Sequence, residues 1–484
     1  MKRPAIVWFR RDLRLADNPA LAAAVASGRP VIALFLWDDD TGAPWSTGAA
    51  ARWWLSRNLV SLRDDLRRAG TDLAVLRGSP GEILPRIAVA CGAAEIHWNR
   101  CYEPASIARD SALKQALQSA GVAVSSHNAG LLFEPWTIAT GAGRPYRVFT
   151  PFWRACLSAP PPPLPLPAPQ NIPGAALPDA CLTVEDLGPE PRQPDWSTSL
   201  AQAWSAGGEE ADRRLISFLK NEVQHYGEER EIPSVDGTSA LSPYLQVGAI
   251  GPRRIWHAVI TSGGRPDVGD GAGTFLKELI WREFSYHLLF HMPRLPDANL
   301  DSAFDAMPWR DDPEGLRRWQ RGLTGYPLVD AGMRQLWQTG WMHNRVRMVV
   351  ASFLTKHLLI DWRHGARWFW DTLVDADLAS NSASWQWVAG CGADAAPFFR
   401  IFNPVLQGEK FDGRGAYVRR WLPELAGLPD KLLHKPWKAD ATTLERAGLR
   451  LGRDYPAPIV DHAAARTRAL EAWQTHIRGG SARE

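Results

Sequence analysis

The sequence predicts an α/β N-terminal domain built on a doubly wound, Rossmann-like parallel sheet, followed by a mostly α-helical C-terminal domain. Three observations carry this reading. Residues 5–125 alternate short apolar runs with amphipathic stretches, which is the rhythm of βαβ units. A Pro-rich stretch, SAPPPPLPLPAPQNIPG (158–174), then interrupts all periodicity and cannot be helical. Beyond residue 201 the apolar positions recur with a period near 3.6 and no strand pattern intervenes. A chain of 484 residues also exceeds what a single ordinary core accommodates.

In order, AIVWF (5–9) opens the sheet and a helix follows from Pro19; VIALFLW (31–37) leads into an amphipathic stretch over 49–69. LAVL (73–76), EIHW (95–98) and VAV (122–124) supply three more strands, separated by helices over 80–91 and 104–120. The turn after the first strand reads RRDLRLADN and contains no GxGxxG, so a dinucleotide site of that type is not indicated there. We expect three parts: residues 1–130 as the α/β domain, 131–200 as a Pro-rich linker and 201–484 as the helical domain. Helical periodicity is clearest over 211–226, 273–290, 325–340 and 343–359.

Composition narrows the class. A 45% apolar content suits a packed globular protein, and no apolar run approaches the roughly 20 residues of a membrane span. The N-terminus lacks a signal-peptide core, so a soluble, cytoplasmic protein is expected. Five widely spaced cysteines without a CxxC pair argue for free thiols and against a metal site. The net charge of +3 neither announces nor excludes a nucleic-acid partner. Tryptophan is unusually abundant, with 24 Trp against 8 Tyr, which leaves room for an indole electron path beside ordinary core packing.

Four clusters carry chemistry. GTSALSPYLQVG (237–248) offers the hydroxyls of Thr238, Ser239 and Ser242 and backbone amides leading into a helix, a pattern suited to a pyrophosphate and equally to an ordinary helix cap. DADLASNSASWQW (375–387) places Asp375 and Asp377 shortly before the amide Asn381. In GWMHNRVRM (340–348), Asn344, Arg347 and Met348 fall at i, i+3 and i+4 and share one helix face. In LKELIWREF (276–284), Glu278, Trp281 and Arg282 repeat that spacing, joining an acid to an aromatic slab that can hydrogen-bond and stack on an extruded base. Taken singly, each of these side chains has a core or solvated reading.

Together with WFRRDLRLADNPAL (8–21), these runs resemble the DNA photolyase/cryptochrome family over nearly the whole chain, with bacterial cyclobutane pyrimidine dimer photolyases the nearest in motif. The resemblance implies a FAD-binding helical domain. Tyr226, Thr238, Ser239, Ala240, Leu241 and Ser242 match the phosphate segment and the tyrosine upstream of it, although many relatives carry Arg where this chain has Ala240. Asp375, Ala376 and Asp377 match the flavin-ring segment, Arg347 the partner of its first carboxylate, and Asn381 the amide facing flavin N5. Glu278, Trp281, Arg282, Met348, Trp387, Asn344 and Arg230 match the dimer pocket and its DNA contacts; Asn344 also belongs to the flavin-binding set. Trp385, Trp362 and Trp309 match the chain of indoles that photoreduces the flavin. Arg400, Lys410 and Arg414 add positive charge suited to DNA phosphates.

The resemblance implies light-driven repair of cyclobutane pyrimidine dimers by electron transfer from excited, reduced anionic FAD to a flipped-out dimer. Implied as well are UV-damaged DNA as partner, a monomer, and a second antenna chromophore. Ala105 and Ser106 after NRCYEP, with Pro296 and Asp297, replace the residues that hold a folate in one well-known mode, so a deazaflavin, a differently held folate or an empty site stay open. Two alternatives remain: a cryptochrome-type photoreceptor, and repair of the (6-4) lesion. Asn381 stands where plant-type cryptochromes usually carry Asp, Asn344 and Met348 stand where (6-4) enzymes carry His, and the chain ends at RGGSARE without a long extension.

Overall fold

Buried apolar strands form first in the chain and organise everything before residue 130. In the computed structural model, which describes residues 2–38, 45–177, 181–187, 195–395 and 399–478, five parallel strands lie in the order β3-β2-β1-β4-β5. They are β1 (Ala5–Phe9), β2 (Val31–Trp37), β3 (Leu73–Arg77), β4 (Glu95–Asn99) and β5 (Ala123–His127). The residues of β1 and β2 are buried throughout, as expected where helices cover both faces of a parallel sheet. At the edge, β5 is polar and half exposed. The crossovers are α1 (Pro19–Ala26), α2 (Ala49–Arg68), α3 (Pro80–Ala90) and α4 (Pro104–Ser119). Proline stands in the first turn of α1, α3 and α4, where its missing N–H costs nothing.

The RRDLRLADN turn is structural. Asn18 caps α1 by accepting from the Leu21 N–H at 3.1 Å, and the Asn99 amide at the end of β4 donates to Asn18 at 2.7 Å and to Asp12 at 2.5 Å. Arg14 donates to the carbonyls of Asp17, Ala129 and Gly248, while Arg253 pairs with the Asp17 carboxylate at 2.6 Å. The motif therefore ties the sheet to residues 248–253. Gly248 has φ 71°, and a Cβ there would collide with the Arg11 carbonyl, so this position requires glycine.

By its internal contacts the chain divides into two compact units. The first comprises residues 1–224, 239–293 and 374–379; the second comprises 225–238, 294–373 and 380–484. Within the first, the long helix Gly271–His291 is the framework for the segment after β5. Its Glu283 accepts from the Leu132 and Phe133 N–H groups at 2.8 and 3.2 Å, and its His287 accepts from the Tyr146 N–H at 2.9 Å. The stretch 131–200 is less irregular than its periodicity suggests, since it contains a helix over Phe149–Ser158, a 3-10 turn over Val184–Leu187 and the start of the helix Ser197–Ala203. Aromatic packing on the long helix supplies what local pattern does not. Beyond Ser158, where the helix ends, the described residues of the Pro-rich stretch contain no helix, and few backbone bonds, such as Ile172 N–H to Ala69 O at 2.7 Å, hold it. Residues 178–180 and 188–194 of the expected linker lie outside the described set.

The described part of the second unit is helical apart from an isolated bridge between Leu451 and Tyr455. Its core gathers Val346, Val350, Phe353, Trp319, Trp362, Phe369 and Trp385. The periodic run 343–359 is not one regular helix: Asn344–Ser352 is α-helical and Phe353–His357 forms a π turn. Lys356 and His357 in that turn are fully buried and find the Ala389 carbonyl at 2.5 Å and His462 at 2.8 Å. Among the described residues no helix is long and apolar enough to cross a membrane.

Candidate functional site

In the first unit, the stretch after Thr238 makes an unusual turn. Ala240 sits in the left-handed region at φ 48°, uncommon for a residue other than glycine, and the Ser239 hydroxyl accepts from the Leu241 N–H at 3.4 Å. This brings Ser242 to the first position of the helix Ser242–Val247. The serine is exposed, and its side chain does not cap that helix as expected; it donates instead to the Asp375 Oδ2 at 2.7 Å. Asp375 and Ala376 are buried and directly precede the helix Leu378–Ala389. The structure thus brings together two sequence-distant motifs, the hydroxyl segment and the carboxylate pair.

Asp377, the second carboxylate of that pair, enters a different network. The Tyr286 hydroxyl donates to its Oδ2, and the Arg11 guanidinium lies 3.8 Å from the same oxygen while pairing with Glu103. Burial, and then the adjacent Asp377 carboxylate, push the Tyr286 phenol well above its ordinary range, so it stays a donor. Arg11, Glu103, Tyr102 and Tyr286 line a narrow polar cleft with Asn99 and Gln246. That cleft opens at the carboxyl ends of β1 and β4, where the strand order reverses. Tyr286 follows Arg282 by one turn, so helical spacing was the available signal; Arg11 and Glu103 lie inside WFRRDLRLADNPAL and NRCYEP, but sequence reasoning gave neither a role.

On the helix Gly271–His291, Glu278 and Trp281 are half-buried one turn apart. The indole lies flat against Phe149, with ring centroids 3.6 Å apart and planes within 5°. Arg282 is engaged internally: it donates to the Gly130 carbonyl at 2.8 Å and lies 3.3 Å from Glu283. Glu283 is buried, and that burial pushes its carboxyl up to about 7 despite Arg282 and two backbone donors.

In the second unit, Tyr226 is buried with the Arg230 guanidinium 5.4 Å over its ring, and Arg345 pairs with Glu231. His343 caps the helix Asn344–Ser352 by accepting from the Arg345 N–H at 3.2 Å. Burial, then Arg347, Arg345 and Arg230, lower its pKa to about 4, so the imidazole is neutral. Asn344 is exposed, Met348 half-buried, and Arg347 donates from Nε to the Met342 carbonyl at 2.7 Å. Asn381 is half-buried and donates from Nδ2 to the Ala366 carbonyl at 3.0 Å, which turns Oδ1 toward any partner.

The tryptophans of this unit differ in setting. Trp385 is buried, edge-to-face with Phe369 at 5.1 Å and Trp319 at 6.2 Å. Its ring overlaps the space a Cβ on Gly365 would need, so the glycine inside the helix Trp362–Thr372 is there to admit the indole. Trp362 is fully buried and donates to Asn299 at 2.9 Å; Trp309 is half-buried. Trp387 donates to the Asp394 carbonyl at 3.2 Å, and the exposed Arg400 lies 5.6 Å over its ring. Lys410 and Arg414 are exposed.

Comparison with known proteins adds an independent line. A family model described as the FAD binding domain of DNA photolyase matches residues 275–475, and one described as DNA photolyase matches 5–170. A deoxyribodipyrimidine photo-lyase from Agrobacterium fabrum is 50% identical over 471 residues, covering 97% of each chain. Cryptochrome-1 of Arabidopsis thaliana is 41% identical, covering 99% of this chain and 72% of that one. The crystal structure of a bacterial class III photolyase from Agrobacterium tumefaciens superposes with a TM-score of 0.94 at 49% identity, covering 98% of both chains.

Proposed function

The chain belongs to the DNA photolyase/cryptochrome family, and we propose that it is a deoxyribodipyrimidine photo-lyase that repairs cyclobutane pyrimidine dimers in UV-damaged DNA under blue light. The observation that carries this reading beyond the family is the pairing of Glu278 and Trp281, half-exposed on one helix beside each other, an acid and a stacking surface with no solvated-helix purpose in common.

The residues present fit FAD. Hydroxyl and backbone groups at Ser239, Leu241 and Ser242 suit a pyrophosphate, and the left-handed Ala240 shapes that turn; Thr238 and Tyr226 belong to the proposed set through the family's motif. Asp375 and Asp377 would face the polar edge of the ring, with Ala376 between them and Asn344 and Arg347 in the same set. With Nδ2 committed to Ala366, Asn381 would offer Oδ1 as the acceptor for an N5 hydrogen, which suits the reduced flavin of the proposal, taken as the anion. The chemistry a bound, reduced FAD would supply is a photoexcited electron for opening the cyclobutane ring, to be returned once the ring is open. Trp385, Trp362 and Trp309 would refill that reducing capacity from the surface.

On the DNA side, Trp281, Met348 and Trp387 would wall the pocket for the flipped dimer, while Arg230, Asn344 and Arg400 would contact the strand or its phosphates; Arg282, held by the Gly130 carbonyl and Glu283, would contribute there only as a nearby positive charge. Glu278 would donate or accept at the pyrimidine carbonyl edge, where charge grows as the ring opens. Asn381, Asn344 and Met348 favour repair of this lesion over a photoreceptor or a (6-4) enzyme. A second, light-harvesting chromophore, a folate or a deazaflavin, belongs to the same proposal and rests on family membership alone. So do a cytoplasmic location, a monomeric state, and functional parts at 1–130, 131–200 and 201–484.

The test is Glu278→Ala. The variant is expected to lower repair per absorbed photon severalfold with only modest loss of affinity for dimer-containing DNA; an unchanged yield would refute the role.

A further inference from the structure

Trp281 has a partner that none of the recognisable motifs contains. Phe149 opens the helix Phe149–Ser158, is 3% exposed, and lies parallel to the indole with centroids 3.6 Å apart. Two aromatic planes at that separation are in full van der Waals contact, so no third ring can enter between them. Whatever accessible surface the half-buried Trp281 retains therefore belongs to its other face and its edge.

Phe149 is itself immobilised from several sides. Its ring is edge-on to Phe284 at 5.8 Å, and Phe284 is also edge-on to Trp281 at 5.8 Å, which closes a three-ring cluster. Phe152, one turn later, packs on Phe284 at 5.2 Å and on His287 at 5.0 Å. The chain leading into this helix is pinned to the same framework by the Tyr146 N–H bond to His287. Phe149 is thus a fixed plate, and Trp281 is the ring laid on it.

We propose that Phe149 is a positioning residue for damage recognition: it sets the plane of the Trp281 indole and closes one of its faces, so that a flipped-out pyrimidine dimer stacks on the opposite face only. The proposal rests on the reading of Trp281 as a wall of the dimer pocket. The χ2 torsion of an aromatic side chain is broad, and without a backing plate the indole samples orientations that no longer match the carboxyl of Glu278 one turn away. A dimer must stack on the indole and hydrogen-bond to the acid at once. Phe149 lowers the cost of meeting both demands by ordering the indole before the dimer arrives. Its contribution is read in the affinity for the dimer.

Equilibrium binding of the flavin-loaded protein to a short single-stranded oligonucleotide, with one cyclobutane thymine dimer or none, tests this for the wild type and for Phe149→Ala, Phe149→Leu, Phe149→Tyr and Trp281→Ala. The Leu variant keeps most of the volume without a flat ring, and the Tyr variant keeps the ring. Loss of the stack is expected to weaken dimer binding roughly two- to tenfold in the Ala and Leu variants. Undamaged-strand affinity and bound flavin should stay at wild-type values, and Phe149→Tyr should bind like the wild type. If the Ala variant does not fold, the Leu variant decides. Wild-type dimer affinity in Phe149→Leu, or an equal loss on both oligonucleotides, would overturn the proposal. If Trp281→Ala weakens dimer binding while Phe149→Leu does not, only the role of Phe149 fails; if Trp281→Ala has no effect either, the reading of the pocket fails with it.

Discussion

Glu283 shows how a single buried acid leaves a mark that can be measured. It is 3% exposed, and burial pushes its carboxyl from the ordinary 4.5 up to about 7. Between those two pH values the folded protein keeps a proton that the unfolded chain has released, so stability falls as pH rises from about 4.5 to 7. The full loss amounts to about 3 kcal/mol at most. Glu283→Gln retains an acceptor for the Leu132 and Phe133 N–H groups and cannot ionise. Its denaturation midpoint should therefore change less across pH 5 to 7.5 than that of the wild type; parallel curves would show that Glu283 does not titrate in this window. Neither this acid nor Phe149 was legible in the sequence, because each acquires its role from a partner more than a hundred residues away. Glu278, Trp281 and Asn381 stand out in the sequence because their neighbours form a recognisable string, not because their surroundings could be derived.

At the scale of elements, the alternation of apolar runs located all five strands of the sheet, and the Pro cues located the starts of three crossover helices to within a residue. Buried parallel strands advertise themselves, since both faces must be apolar. What periodicity could not show was the helix Phe149–Ser158 or the π turn at Phe353–His357. The first is held by rings on another helix, and the second accompanies inward polar side chains that a 3.6-residue repeat does not anticipate. The glycine inside WRHGARWFW was a readable signal for a close approach. Gly365→Ala would force a methyl into the Trp385 ring, and overpacking of this kind costs about 1–3 kcal/mol. Thermal unfolding should register that loss, together with a change in tryptophan fluorescence. An unaltered melting temperature would mean that the helices Trp362–Thr372 and Leu378–Ala389 are not locked through this contact.

For the whole molecule, a net charge of +3 hides how the charge is distributed, and DNA binding depends on the distribution. Lys410 and Arg414, which follow Arg400 in the sequence, are both exposed. Replacing both by Ala should weaken damaged and undamaged DNA alike and reduce the slope of log K against log salt by about 1 to 2. An unchanged slope would remove them from the phosphate-contacting set. The two packing units are discontinuous in sequence, with segments such as 239–293 and 374–379 joining the first through tertiary contacts, a kind of grouping that linear periodicity does not address.

Light-driven repair of a cyclobutane dimer is tested most directly on a duplex oligonucleotide carrying one cyclobutane thymine dimer. The purified, chemically reduced protein with its bound flavin is incubated with that duplex under blue light and in the dark. Restoration of intact thymines under light, with none in the dark, is the predicted result. No restoration by a protein that holds reduced flavin would contradict the proposed activity and shift the reading to the (6-4) lesion or to a photoreceptor.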